Sequence, residues 1–570
     1  MRRHTTITAQ HRHAVRIAGN LAALVAFTTT AAAQSAVQCS TGAASAEAGD
    51  GDRLSRAQML ARSGQYGSAI TILKQSLLDG APAVPSLIAL GQTLSWAGRY
   101  GASVVAFDSA AALDHGNVDA LFGAAHALAR AGNHDAALRR YAAALQRAPD
   151  NIDLRAGYAT VLGWAGKYEE SAATFTALAR DTGSLSRLGA RGLASVAAWR
   201  GELGQATERW VALTQSDPRD AESWNGLSQT LRWAGDSRGA AVAAQHARSI
   251  APCDRDASDA LALARADMEM ATEPAGLGVW DSDGNRSRFF SVSARMSAAW
   301  RGSATVIASQ RDADFLASRG TSRTIRSVML WRPVPGGKLK IRGEGGASLL
   351  DGRRSPSDTQ PVRLRPLAAL GAVWNGSNAT IGLAAAHRPF DETALLIVNG
   401  LTTTAVDATA EFRLTRHSTL SVDGGLTRYD GGTPNTRRAL ASSLRANVTS
   451  WLVFGVAARH HANSGTPRDG YFAPRRYGLA EALVSLGRRK DSGVSTTLEG
   501  ALGTQRIDAS AGSHTTQGTQ RLAALLTWKP SPRVELVATV DAGRMASPFT
   551  QSIGRYEYLS TGVRLRMPFR

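Results

Sequence analysis

Cysteine and long apolar runs are both scarce in this sequence. Only two cysteines occur, Cys39 and Cys253. In an oxidising compartment they could pair, but they stand at opposite ends of a repeated region, and unpaired cysteines are the alternative. No run of about 20 apolar residues follows the N-terminus, so a membrane-spanning helix is not expected.

Motifs for catalysis and for nucleic-acid binding are missing as well. The chain has no His/Cys cluster at metal-ligand spacing, no Gly-x-Ser-x-Gly elbow and no phosphate-binding loop. We therefore expect no enzyme, no cofactor and no bound metal. The formal net charge is +19, and beyond residue 275 there are 39 Lys and Arg against 21 Asp and Glu. No compact basic helix with interleaved aromatics accompanies this excess, which argues against nucleic acid as a partner.

The N-terminus has the parts of a secretory signal. A positively charged segment comes first, with Arg2, Arg3, Arg12 and Arg16. An apolar core over 17–27 and small residues at 31–33 follow it. This order predicts a signal peptide over 1–33, followed by a flexible segment over 34–51. A short amphipathic helix is the alternative interpretation.

A short motif with a turn glycine recurs along the next part of the chain. Its copies begin every 34 positions, with a single step of 35, at Arg62, Trp96, Arg130, Trp164, Trp199 and Trp233. Five residues after most of the glycines comes a small residue, and nine after comes a large one. Glycine allows a turn between two antiparallel helices, the small residue lets them approach, and the large residue fills the gap.

The six copies resemble the tetratricopeptide repeat family over 52–251, with a capping helix and linker over 252–275. The resemblance implies an α-solenoid scaffold with a concave binding groove. In that family the position two before the turn glycine lies near the concave face, which makes the candidate groove residues Trp96, Trp164, Trp199, Trp233, Arg62 and Arg130. Tryptophan rings there would stack on sugars; the alternative is that they pack between neighbouring repeats and touch no ligand.

Beyond residue 275 the helical period gives way to alternating segments of about ten residues. Charged side chains occupy one face of such segments and apolar ones the other, as in 338–347, 406–415 and 534–542. About fifteen such segments predict a transmembrane antiparallel β-barrel of about 16 strands over 276–570, because bacterial barrels favour even strand numbers. The candidate lumen-lining residues are Lys338, Lys340, Arg342, Glu344, Asp407, Glu411, Arg413, Glu535 and Asp541. A soluble β-sandwich would alternate too, but it seldom needs so many strands in one run.

The C-terminal segment favours the membrane. Apolar residues alternate with small or basic ones from Leu559 to Phe569. This pattern resembles the terminal strand by which outer-membrane proteins are recognised for insertion, except that Arg570 follows the final aromatic residue.

One further segment is specific. Residues 469–477 read Asp-Gly-Tyr-Phe-Ala-Pro-Arg-Arg-Tyr. They resemble a Gly-Tyr-Phe-Ser-Pro-Gln segment in the barrel domain of the outer-membrane export component of cellulose synthase, with Ala473 in place of the serine and Arg475 in place of the glutamine. The family-like residues are Gly470, Tyr471, Phe472, Pro474 and Tyr477.

Repeats joined to a barrel, together with this segment, resemble the exopolysaccharide-export porins, a class that includes poly-N-acetylglucosamine exporters. The resemblance implies a porin of the cell outer membrane whose periplasmic repeats guide the polymer or dock periplasmic or inner-membrane synthase components. Outer-membrane lipid and the barrel-assembly machinery would be its other partners. The known cellulose-type members carry many more repeats, so cellulose itself does not follow, and the basic excess favours a neutral or anionic polymer over a cationic one.

Two other functions fit the same domain order. The first is a barrel that translocates surface proteins or lipoproteins, with a repeat groove that binds peptide. The second is a plugged barrel that anchors a periplasmic scaffold.

Overall fold

A computed structural model describes residues 50–568, apart from 63, 181–182, 253, 299–301, 335–336, 359, 377, 416, 450, 466–468, 490–492, 511–512, 532 and 546–555. The predicted signal peptide, most of the predicted flexible segment and both cysteines lie outside the described residues.

The N-terminal half is built from short helices of similar length. Between residues 50 and 268, leaving out the undescribed positions, the helices are α1 (Asp50–Arg62), α2 (Tyr66–Leu78), α3 (Ala83–Trp96), α4 (Tyr100–Leu113), α5 (Val118–Arg130), α6 (His134–Arg147), α7 (Ile152–Trp164), α8 (Tyr168–Ala179), α9 (Ser184–Trp199), α10 (Leu203–Ser216), α11 (Ala221–Ala234), α12 (Ser237–Ile250) and α13 (Arg255–Met268). They form six antiparallel pairs and a final capping helix. None of the helices among the described residues is long and apolar enough to cross a membrane.

The turn glycines do what their spacing predicts. All six have positive φ, a conformation that favours glycine: Gly64, Gly98, Gly132, Gly166, Gly201 and Gly235. The small residues five positions later are fully buried between the two helices of each repeat: Ala69, Ser103, Ala137, Ser171, Ala206 and Ala240. In two repeats this residue is a serine, and its hydroxyl donates to a carbonyl of the first helix, from Ser103 to Gly91 and from Ser171 to Ala159, each at 2.7 Å.

Neighbouring repeats are joined by a large side chain that packs on a glycine. A Cβ added at the glycine of the next first helix would lie within 3 Å of a ring in the preceding repeat. These pairs are Gly123 with Phe107, Gly157 with Tyr141, Gly192 with Phe175, and Gly226 with Trp210. The large residue therefore fills the space between repeats as well as the space between the two helices of its own repeat.

The C-terminal half is a closed antiparallel barrel. Its strands are β1 (Ala271–Asp281), β2 (Asn285–Ala298), β3 (Gly302–Phe315), β4 (Ser318–Trp331), β5 (Leu339–Arg353), β6 (Arg363–Asn375), β7 (Ala379–Pro389), β8 (Thr402–Arg413), β9 (Ser418–Asp430), β10 (Asn435–Asn447), β11 (Leu452–Asn463), β12 (Arg476–Arg489), β13 (Val494–Ser510), β14 (Ser513–Ser531), β15 (Val534–Met545) and β16 (Tyr556–Pro568). Each strand pairs with the next along the chain, and β1 pairs with β16. The predicted fold class, a helical repeat array followed by a barrel of about 16 strands, is confirmed.

The predicted start of the barrel at residue 276 is too late. Strand β1 begins at Ala271 and pairs with β16 from Pro568 onward. Pro274 lies inside the strand: it keeps its place opposite Val292 of β2, while the ladder to β16 is interrupted between Thr272 and Ala275. Proline donates no backbone hydrogen bond and is therefore uncommon inside strands. For this reason the sequence predicts that Pro274 lies in the linker.

The barrel has an apolar outside. Large side chains exposed on the outer face include Ile325, Leu370, Leu383, Leu440 and Leu502. Exposed tryptophans lie near the ends of strands, with Trp331, Trp374 and Trp451 at one end of the barrel and Trp280 at the other. An apolar band bordered by aromatic residues is the surface of a barrel in lipid.

Candidate functional site: the lumen, its far mouth and the repeat groove

The barrel has two ends that differ in their neighbours. The near end holds the start of β1 and Arg332, which directly follows β4. There Arg332 Nη1 donates to the backbone oxygen of Trp233 in α11 at 2.8 Å, and Arg533 pairs with Glu269 at 2.7 Å. The far end, opposite, holds residues 390–401, 464–465 and 469–475. The repeat array is therefore attached at the near end.

The candidate lumen-lining residues of the strands face inward. Lys340, Arg342 and Glu344 alternate on β5 with the outward Leu339 and Ile341; Lys338 lies just before β5. On β8 the inward residues are Asp407, Glu411 and Arg413, because their neighbours Ala408 and Ala410 pair with the outward Leu383 and Ile381 of β7. On β15 Glu535 and Asp541 are inward, where Asp541 accepts a hydrogen bond from the Tyr558 hydroxyl.

Glu344 is a carboxylate on the inner face of β5 that is paired on several sides. Its side chain is fully buried and contacts three arginines from three strands. Arg326 of β4 lies at 2.9 Å, Arg342 of β5 at 3.3 Å and Arg388 of β7 at 2.8 Å. The sequence predicted Arg342 and Glu344 as lumen residues, but the other two arginines were missed because the barrel register alone brings them together.

The same arrangement recurs elsewhere in the lumen. Glu499 of β13 pairs with Arg445 at 3.1 Å and with Arg521 at 2.7 Å. Near the repeats, Glu273 lies 3.7 Å from Arg564 and 3.6 Å from Arg566. At Glu273 a second carboxylate, Glu535, lies 3.5 Å from Arg564 and balances the charge. Glu499 and Glu344 each face more than one guanidinium, so the excess positive charge in the C-terminal half lies partly inside the barrel.

A six-residue helix sits inside the far mouth. This helix, α14 (Ala394–Asn399), lies in the loop between β7 and β8, and Leu396 and Ile397 are buried. It packs on the inner faces of β4 and β5, where Gly320 and Gly352 make room. A Cβ at Gly320 would lie 2.7 Å from Ile397, and one at Gly352 would lie 2.8 Å from Val398.

The family-like segment packs against this helix. Gly470 has a φ of +96°, and a Cβ there would lie 2.7 Å from Leu395. The Tyr471 ring stacks on Tyr429 at 4.5 Å, and its hydroxyl accepts from Asn435 at 3.1 Å. The backbone oxygen of Asp469 accepts from Asn399, at the end of α14, at 3.0 Å.

The remaining residues of the segment pack on the inner wall of the barrel. The Phe472 ring meets Tyr477 edge to face at 5.8 Å, and the Pro474 oxygen accepts from Asn463 at 2.6 Å. His461 stacks on Tyr477 at 4.8 Å, whereas its neighbour His460 pairs with the outward Leu440 and points out of the barrel. The structure therefore gives the family-like residues a packing role against α14 and the inner wall at the far mouth.

The candidate groove residues end the first helices of the repeats. Trp96, Trp164 and Trp199 close α3, α7 and α9, Arg62 and Arg130 close α1 and α5, and Trp233 is the penultimate residue of α11. Trp96 is half exposed and Trp233 is also exposed. Trp164 and Trp199 meet edge to face at 6.3 Å.

Two histidines add to the aromatic character of this surface. His134 lies 6.5 Å from Trp164, and burial lowers the pKa of its imidazole, although Asp135 opposes the effect. Burial, followed by the charge of Arg130, lowers the pKa of His126. Both rings are therefore expected to be neutral at pH 7.

A metal centre has no support in this surface or in the lumen. Across the described part of the chain, no group of three or more His, Cys, Asp or Glu side chains could hold a metal ion.

A known family matches part of the helical half. A tetratricopeptide repeat family model matches residues 128–190. No curated protein matches the chain significantly.

Three solved structures share parts of the fold. A bacterial polysaccharide outer membrane secretin has 12% identity and a TM-score of 0.42, over 53% of this chain and 99% of its own. A tetratricopeptide repeat protein from Parabacteroides merdae has 17% identity and a TM-score of 0.29, over 38% and 84%. A tetratricopeptide repeat protein from Thermus thermophilus has 19% identity and a TM-score of 0.28, over 32% and 100%.

Proposed function

We propose that the chain is an outer-membrane porin for the export of an exopolysaccharide, with its repeats in the periplasm. The observation that carries this proposal is the continuity between the two halves. The last repeat contacts the near end of the barrel through Trp233 and Arg332, and this contact supports a path in which a polymer leaving the groove enters the lumen. The apolar outside and charged inside of the barrel are what a water-filled path through lipid requires.

Export needs a wet path with many weak contacts and no deep binding site. The aromatic residues that recur at the repeat spacing would supply such contacts in the groove. Trp96, Trp164, Trp199 and Trp233 offer ring faces on which sugars stack, and Arg62 and Arg130 offer charge in register with them. The same surface would dock synthase components where the polymer does not cover it.

Deletion of the gene in its own bacterium tests this function. Loss of the chain should trap polysaccharide inside the cell, so that polymer disappears from the medium and accumulates in the periplasmic fraction. The full chain supplied from a plasmid should restore secretion. Unchanged polysaccharide together with loss of surface-exposed lipoproteins from protease-shaved cells would contradict export and favour protein translocation.

A further inference from the structure

The three arginines around Glu344 carry more positive charge than their carboxylate can neutralise. One glutamate faces Arg326, Arg342 and Arg388, all within 3.3 Å. Guanidinium groups stay protonated at any physiological pH. Two positive charges are therefore left over at one place on the lumen wall.

Burial of the glutamate fixes the positions of these charges. The Glu344 side chain is fully buried, while those of Arg342 and Arg388 are 54% and 43% exposed to the lumen. Each arginine has five N–H donors in a planar fork, and its contact with Glu344 occupies one nitrogen. The buried carboxylate thus holds the guanidinium groups in place without using up their capacity to donate.

The wall beside this group is lined by small side chains. One rung of the sheet runs from Arg342 through Gly371 and Ala384 to Asp407. Three strand spacings separate the two charged residues, about 14 Å. Nothing bulky stands on the rung between them, so a sugar chain can lie within reach of the arginines.

We propose that Arg326, Arg342 and Arg388, held on Glu344, form a subsite that binds the acidic groups of an anionic polysaccharide during its passage. This inference rests on the proposed export function and adds the class of polymer. Carboxylate, pyruvate-ketal and sulfate groups offer two or more acceptor oxygens, which can accept paired N–H hydrogen bonds from a guanidinium group. The two arginines that share Glu499 extend the same preference along the lumen, and a cationic polymer would be repelled along this path.

Binding of defined hexasaccharides to the purified full chain in detergent tests the subsite. The probes are dye-labelled hexagalacturonate, which is anionic, maltohexaose, which is neutral, and fully deacetylated chitohexaose, which is cationic; fluorescence anisotropy gives each Kd. Hexagalacturonate should bind most tightly. Arg342→Gln should weaken its binding about tenfold, since one charge-assisted hydrogen-bonding group is lost, and Arg388→Gln should act in the same direction. Maltohexaose binding should not change.

The matched control is Arg323→Gln. Arg323 lies on β4 close to Arg326 in sequence but on the outer face, where it contacts Gln310 at 3.3 Å. Its removal should leave all three affinities unchanged. Unboiled gel mobility verifies that each variant is folded as a barrel.

The outcomes separate this inference from the export function. Unchanged hexagalacturonate binding in both Arg342→Gln and Arg388→Gln, or tighter binding of the neutral or cationic hexamer, would overturn the anionic subsite and leave sugar export standing. Failure of every hexamer to bind the native chain would also overturn the subsite, whereas export, which needs only weak contacts, is tested separately by the gene deletion.

Discussion

At the scale of single residues, the contact between a large side chain and a glycine of the next repeat sets how closely the repeats stack. Tyr141 packs over Gly157, and a Cβ at that glycine would lie 2.7 Å from the tyrosine oxygen. Gly157→Ala should therefore destabilise the array by about 1–3 kcal/mol, as overpacked cores are. Urea unfolding of a 34–273 fragment, followed by circular dichroism, measures the change.

Gly101→Ala is the control for this substitution. Gly101 lies in α4, and nothing is within 4 Å of an added Cβ. Alanine there should raise the free energy of unfolding by about 0.4–1 kcal/mol, because it restricts the unfolded chain. Equal effects of the two substitutions would show that the tyrosine contact does not hold the repeats together.

The repeat tryptophans differ in what they touch. Trp96 is 50% exposed, whereas the Trp199 ring covers Gly163 and meets Trp164. Trp96→Ala should weaken oligosaccharide binding by about 1 kcal/mol and leave the fold intact. Trp199→Ala should lower the free energy of unfolding by about 3 kcal/mol, like other truncated aromatics in packed positions. Calorimetric titration and urea unfolding of both variants decide whether the groove or the packing interpretation applies to each ring.

The sequence period predicted the residues that shape each repeat. It did not predict contacts between residues that lie far apart along the chain. The turn glycines and buried small residues follow from the 34-residue spacing, because each acts within its own repeat. The glycines that contact the ring of the preceding repeat recur at the same spacing, so the sequence could have predicted them as well. Arg326 and Arg388 carried no such signal: Arg388 lies 44 positions from Glu344, and only the strand register joins them.

At the scale of elements, α14 is the feature that the sequence did not predict. Its six residues, Ala-Leu-Leu-Ile-Val-Asn, are apolar and β-branched enough to pass for a short strand. The helix forms because Thr393 caps its start, Gly400 ends it with a φ of +63°, and the inner wall buries its apolar side chains. Alternation, in contrast, predicted the faces of β5, β8 and β15, since a strand exposes opposite sides to lipid and water.

The glycines of the wall that contact α14 offer a test of the role of this helix at the far mouth. Gly352→Val would place side-chain atoms where Val398 now lies, with the first new atom 2.8 Å from the helix backbone. We expect α14 to lose its contact with the inner faces of β4 and β5. The single-channel conductance in planar bilayers should then rise. Gly343→Val on the same strand has open space around it and faces outward, so its conductance should match the native value. Equal conductance in all three proteins would mean that α14 does not restrict the lumen.

At the scale of the whole molecule, few described contacts join the two halves. Among the described residues, the polar contacts between them include those of Arg332 with Trp233 and of Arg533 with Glu269. Residues 34–273 expressed alone should therefore be soluble and monomeric, with a strongly helical circular-dichroism spectrum. A β-rich or insoluble product would contradict the independence of the repeat array.

The orientation of the barrel wall relative to lipid can be tested at two adjacent residues. Ala410 of β8 pairs with Ile381 and Val422 on the outer face, whereas Thr409 pairs with Gly382 and Asp423 on the inner face. Ala410→Arg should cost about 2–4 kcal/mol if it lies near the bilayer midplane, and should impair assembly. Thr409→Arg should assemble normally and alter conductance or polymer flux.

The comparison between these neighbours is sensitive to register, because a shift of one residue exchanges the two faces. Heat-modifiable gel mobility of outer-membrane fractions reports assembly for each variant. Failure of Thr409→Arg to insert, with normal insertion of Ala410→Arg, would mean that the two faces of the wall are reversed. Normal assembly of both would mean that Ala410 does not face hydrocarbon near the bilayer midplane, because an outward arginine at that depth would impair insertion.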